Sequence, residues 1–203
     1  MGKTILAIGG HIGDMELTAG GLMATNYLDG GKNITLALTA GERGNPPHLT
    51  QKEYRVQKIA EAKAFMDMMN GEALVLKYAD GELPNNEEVR REVAEIIVKY
   101  KPDVIVTHWH SKMHKDHNAT HYIVQDAQFI AGVVGDSNGN RHYAPVYFCE
   151  NWEDDNCEVP VTWTSDGISF YATQRLTSYQ NFDKLDEAQR NGSGRKYYYV
   201  AIS

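Results

Sequence analysis

Short apolar runs alternate along this chain with longer stretches in which apolar residues recur every three or four positions. The short runs are TILAIG (4–9), NITLALT (33–39), ALVLKY (73–78), DVIVTH (103–108) and PVYFCE (145–150). Their length and β-branched content predict buried strands. Between them, LTAGGLMATNYLDGG, LTQKEYRVQKIAEAKAFMDMMNG and NNEEVRREVAEIIVKYKPD keep helical spacing and stop at Gly or ahead of Pro, as helices do. Such alternation predicts an α/β fold, a Rossmann-like, mostly parallel sheet with helices on both faces, over roughly the first 150 residues. Beyond that the period breaks. NWEDDNCEVPVTWTSDGISFY reads as loops with a hairpin, ATQRLTSYQNFDKLDEAQRNG as helix, and RKYYYVAIS fits neither pattern.

Length and composition narrow the setting. A chain of 203 residues suits one domain, expected over 1–203, and its 42% hydrophobic and 23% charged residues are ordinary for a globular protein. No 18-residue apolar run and no basic leader with a cleavage site stand in the sequence, so neither a membrane span nor a signal peptide is expected and the location is predicted to be cytoplasmic. Cys149 and Cys157 form no CxxC pair and are expected to be idle thiols. A net charge of -7 without a Lys/Arg cluster argues against nucleic acid or anionic lipid as partner. A small molecule is the expected ligand.

A sheet of this kind binds ligands beyond the carboxyl ends of its strands. Three polar segments sit there: His11 to Glu16, Gly41 to Arg43, and HWHSKMHKDHNATH (108–121), which holds five of the eight histidines. The turn GGHIG lacks G-x-G-x-x-G spacing, and no acidic residue closes the second run, so a dinucleotide cradle is disfavoured. His11 and Asp14, three apart in a tight turn, can instead converge on one point. A further imidazole would complete a facial set with a fourth position open to water, which is what a catalytic zinc requires. The plainer alternative makes His11 a strand-end residue and Asp14 a helix cap.

These segments carry a resemblance. GGHIGDMELTAGGLMA resembles the first motif, AHPDDE followed by a G-x-G-G turn, of the LmbE/PIG-L family of zinc-dependent N-acetylglucosaminyl deacetylases, and MHKDH (113–117) resembles its second, HPDH. TAGERGNPP (39–47) is similar to a third conserved stretch and ENWEDD (150–155) to a fourth, in matching order from residue 4 to about 155. The resemblance implies a Rossmann-like fold, zinc as cofactor and a small N-acetylated sugar conjugate as substrate. It makes a homo-oligomer, trimer or hexamer, plausible. Carried over by position, it assigns His11, Asp14 and His117 to the metal. It gives His114 the stabilisation of the tetrahedral intermediate or protonation of the leaving amine, with Asp116 orienting His114 through a hydrogen bond. His121, four residues past His117, is a rival ligand or a surface residue on the same helical face. His108 and His110 share one face at a strand end and read as pocket wall or support.

One position departs from the family pattern. Its first aspartate, the general base that takes the proton of the attacking water, is Gly13 here. Losing a general base costs on the order of 10²- to 10⁴-fold in rate, and a metal alone makes water acidic enough to react near neutral pH. Glu16, Glu42, or Asp116 acting with His114 are candidate substitutes. Three readings follow: a deacetylase with a relocated base, a slower or altered metal hydrolase, and a zinc- and sugar-binding protein without catalysis. A Gly13→Asp change should raise activity unless Gly13 occupies a positive-φ turn. For the sugar hydroxyls, Arg43, Arg55, Trp109, Trp152 and Glu153 lie on the appropriate loops.

Overall fold

A computed structural model describes residues 2–110, 113–149, 161–164 and 167–170. Five strands, β1 (Thr4–Gly9), β2 (Lys32–Thr39), β3 (Glu72–Tyr78), β4 (Val104–His108) and β5 (Val146–Cys149), form one sheet in the order β3-β2-β1-β4-β5. Every neighbouring pair is parallel. The strand order reverses beside β1, so the crevice beyond the ends of β1 and β4 is the natural ligand position.

Helices α1 (Asp14–Thr18), α2 (Gly20–Leu28), α3 (Gln51–Asp67), α4 (Glu87–Tyr100) and α5 (Lys115–Phe129) cover the sheet. Leu6, Ile8, Ile34, Leu36, Leu38 and Ile105 face one core, against Val89, Val93 and Ile97 of α4 and Ile123, Val124 and Ala127 of α5. Ala37, Ala73 and Val75 face the other side of the sheet, with Ala62 of α3. Side chains alternate across a strand, so burial on both faces explains why β1, β2 and β4 read as unbroken apolar runs, whereas β3 and β5, expected to be buried, are only partly so because they lie at the sheet edges. Helix α3 starts at a Thr50–Glu53 capping box, and α4 starts where the Asn86 side chain accepts from Val89 N at 3.1 Å and ends at Lys101 ahead of Pro102.

Two differences from the sequence reading have local causes. The first helical stretch is two helices, with α1 already begun at Asp14 and a break at Ala19. The periodicity does not single out α5 because Asp116, His117, Thr120 and His121, all polar, lie buried on its inner face. The chain divides into two units, residues 1–152 and 153–203. The described part of the second is an antiparallel pair, β6 (Val161–Thr164) and β7 (Gly167–Phe170), inside the stretch expected to hold a hairpin. The expected C-terminal helix lies outside the described residues. No helix among the described residues is long and apolar enough to cross a membrane.

Candidate metal centre

The turn Gly10–Gly13 carries the chain from the end of β1 into α1. Within it His11 N donates to Asp14 Oδ2 at 2.8 Å, which folds the carboxylate back under the imidazole. Gly13 makes this possible with φ 109° and ψ −28°, a conformation that strains any residue bearing a β-carbon. The segment after β4 brings in His114 as N-cap of α5, with Asp116 and His117 in its first turn. The main chain at Gly10 passes so close that a β-carbon there would stand 3.1 Å from His117 Cδ2.

Three ligand atoms meet. His11 Nδ1 lies 3.1 Å from His117 Nε2 and 3.3 Å from Asp14 Oδ2, and His117 Nε2 lies 3.2 Å from Asp14 Oδ2. A tetrahedral zinc with bonds of about 2.0–2.2 Å has ligand edges of about 3.3–3.6 Å, so two imidazoles and a carboxylate with edges of 3.1–3.3 Å need to spread only slightly to hold one metal ion. Burial alone would disfavour charge on His11 and Asp14. For His11 it is outweighed by Asp116, Asp14 and Asp80, which push its pKa up to about 10; for Asp14 it is outweighed by His108, His11 and His117, which hold its carboxyl far below the usual range. Without a cation the cluster keeps a proton.

The back of the His11 ring faces two further carboxylates. Nε2 is 3.1 Å from Asp80 Oδ1 and 3.4 Å from Asp116 Oδ2, at ion-pair distance though without hydrogen-bond geometry. Asp116 Oδ2 also accepts from Gly81 N at 2.7 Å. The expected bond between the Asp116 carboxylate and His114 is therefore corrected: His114 Nδ1 accepts from the Asp116 main-chain N–H at 3.3 Å, because His114 caps the helix on which Asp116 sits. With Nδ1 accepting, the proton of His114 resides on Nε2. Burial, then the neighbouring His11 and His117, lower its pKa and keep it neutral.

The other expected residues separate into two groups. Glu16 stays at the site's edge: its Oε2 accepts from Gly13 N at 2.9 Å, and burial raises its pKa. Arg43 is half exposed, with its guanidinium paired to Glu82. Glu42 and Arg55, expected as base and substrate contact, face inward. Glu42 Oε1 accepts from Asp80 N at 3.0 Å, and Arg55 is bound to Glu42 Oε2 at 3.1 Å and Leu76 O at 2.7 Å. His108 is fully buried, and its Nε2 lies between Gly10 N at 3.0 Å and Asp14 Oδ2 at 3.1 Å. His121 is no ligand in this arrangement, since its Nδ1 pairs with His108 O at 2.8 Å and its Nε2 with Gln125. Trp109 packs on Phe148 and His110. Trp152 and Glu153 lie outside the described residues. Asp80 is the residue that sequence reasoning missed. It directly follows the third strand run and Ala79, and thus sits at a carboxyl end of the sheet like the three segments singled out.

Comparison with known proteins gives fold and family. N,N'-diacetylchitobiose deacetylase from Pyrococcus horikoshii is structurally similar at 21% identity over 81% of this chain and 65% of its own, with a TM-score of 0.69. GalB, the 4-carboxy-2-hydroxymuconate hydratase of Pseudomonas putida KT2440, is similar at 19% identity over 99% of this chain and 98% of its own, with a TM-score of 0.70. By sequence, 4-oxalmesaconate hydratase of Pseudomonas putida is 22% identical over 165 residues, 77% of this chain. The chain spans 64% of that hydratase's length and 65% of the chitobiose deacetylase. At these identities the structural likeness speaks to the fold. The family model described as PIG-L, GlcNAc-PI de-N-acetylase, matches residues 6–128, from β1 through α5 and hence across the whole ligand cluster, and the chain belongs to the PIG-L family.

Proposed function

We propose that this chain is a zinc-dependent deacetylase that hydrolyses the acetamide of an N-acetylglucosamine-type sugar conjugate, giving acetate and the free amine. The observation that carries it is the triangle of His11 Nδ1, Asp14 Oδ2 and His117 Nε2, with edges of 3.1–3.3 Å. Those three residues would hold the ion, which supplies Lewis acidity toward the amide carbonyl and makes a water acidic. His114 Nε2–H donates to the carbonyl oxygen as it gains negative charge, and a neutral imidazole held by its own helix cap is set to do so. Glu16 takes the proton of the attacking water and returns it to the departing amine. Its position beside Gly13, and a pKa raised by burial, suit a group that accepts and then gives a proton. Arg43, exposed at the mouth, contacts sugar hydroxyls.

A second reading, addition of water to an unsaturated carboxylate, is favoured by the full-length likeness to the muconate hydratase. Both reactions need activated water but differ in product. The test is amine release from N-acetylglucosamine conjugates by zinc-loaded protein, run beside loss of ultraviolet absorbance from conjugated dicarboxylates. Amine release abolished by chelation supports deacetylation. Hydration alone favours the second reading, and neither reaction in the presence of stoichiometric zinc leaves a metal- and sugar-binding protein.

A further inference from the structure

Gly41–Arg43, Arg55 and Asp80 come from three separate parts of the chain, and they form a continuous set of contacts behind His11. The Arg55 guanidinium is tied to Leu76 O at 2.7 Å and to Glu42 Oε2 at 3.1 Å. Glu42 Oε1 accepts from Asp80 N at 3.0 Å, Asp80 Oδ2 accepts from Arg43 N at 2.9 Å, and Asp80 Oδ1 stands 3.1 Å from His11 Nε2. Glu42 and Asp80 are buried. The turn beneath them is fitted to the same imidazole: at Gly41, with φ 73°, a β-carbon would stand 3.3 Å from His11 Cβ. We propose that Arg55, Glu42 and Asp80 are positioning residues that fix the orientation and tautomer of His11, keeping its proton on Nε2 and its Nδ1 lone pair toward Asp14 and His117.

A histidine that binds metal through one nitrogen is oriented by what its other nitrogen meets, and a carboxylate there also makes the ring a better donor. Asp80 lies on the Nε2 side of the ring, opposite the nitrogen that meets Asp14 and His117, so on an ion held by those three residues it acts through His11. Asp80 is held at both ends, by Arg43 N on its carboxylate and by Glu42 on its main-chain N–H. Glu42, bound through both oxygens, is spent on this duty, which argues against it as the base. A buried carboxylate needs a counter-charge, and Arg55 gives it one.

This inference rests on the metal-centre reading, and the experiment separates the two. Zinc affinity is measured by chelator competition for the wild type, Asp80→Asn, Glu42→Gln and Glu88→Gln, the last removing an exposed carboxylate paired with Lys77 outside the set. Imidazole ¹⁵N shifts of the zinc-loaded proteins report the His11 tautomer. Expected are a loss of about 10- to 100-fold in affinity for Asp80→Asn, a smaller loss for Glu42→Gln, no change for Glu88→Gln, and a wild-type His11 protonated on Nε2 whose signal shifts in both inner variants. If Asp80→Asn does not fold, Glu42→Gln carries the test, since Gln preserves the side chain's size but removes the charge that Arg55 pairs with, and so loosens the link to Asp80. Wild-type affinity in folded Asp80→Asn or, failing that, Glu42→Gln, or a His11 protonated on Nδ1, overturns the positioning role and leaves the metal centre standing. Failure of the wild type to bind zinc stoichiometrically overturns the metal centre and this inference with it.

Discussion

His11 works through both of its ring nitrogens, and that double use has measurable consequences. In the metal-free protein its pKa stands at about 10, with burial opposing the charge and Asp116, Asp14 and Asp80 prevailing. The raised value stabilises the metal-free fold fully below the ordinary histidine pKa of about 6.5, and this stability is lost as pH rises toward about 10. Zinc requires the neutral ring, so loading at pH 7–8 should release about one proton from His11, and apparent affinity should rise about tenfold per pH unit. Titration calorimetry in buffers of different ionisation enthalpy reads the proton, and a flat affinity from pH 7 to 9 would contradict the assignment. His117→Ala should lose stoichiometric zinc while remaining folded, because a site of three ligands rarely survives on two. Retention in that variant with loss in His121→Ala would reverse the roles of these histidines. The cluster residues were legible in the sequence because His11 with Asp14, and the histidines of 108–121, stand at strand ends in a chain with few other polar groups there. Asp80 was not, since KYADGELP looks like any solvated turn until the sheet order sets it behind His11.

Helix α1 decides what can replace the missing carboxylate at position 13. Its first residue is Asp14 and its third is Glu16, whose side chain reaches back to Gly13 N. Glutamine can serve in the same capping arrangement, so Glu16→Gln should leave folding and zinc content intact while lowering kcat by about 10²-fold or more. A rate near wild type would remove Glu16 from the mechanism. Gly13→Asp does not test the base cleanly. At φ 109° the substitution should cost about 1 kcal/mol or more and bring no gain in activity; a faster enzyme with an unchanged melting temperature would show that the turn tolerates it. Strand and helix positions were readable to within a few residues, because burial on both faces of a sheet and a single apolar stripe leave strong patterns. The start of α1 was not, since a glycine turn carries no hydrophobic period, and of α5 only the His117–His121 spacing was, because its inner face is polar. In α4 the stripe Val89, Val93 and Ile97 is fully buried, and Ile97→Ala should destabilise the fold by about 2–5 kcal/mol in denaturant unfolding.

The parallel sheet brings the segments that follow β1, β3 and β4 to one end, and so joins His11 to His117 across a sequence separation of 106 residues. The parallel fold was readable from alternation alone, whereas the last quarter offered little beyond a hairpin and a helical stretch. Zinc should raise the midpoint of thermal unfolding, since a ligand that binds only the folded state stabilises it by mass action. The most direct test of the whole account locates the ion: anomalous diffraction at the zinc edge from crystals grown with zinc. The account predicts one strong peak bounded by His11 Nδ1, Asp14 Oδ2 and His117 Nε2, at about 2.0–2.2 Å from each. A peak on the Nε2 side of His11 between Asp80 and Asp116, or no peak among these residues, would contradict it.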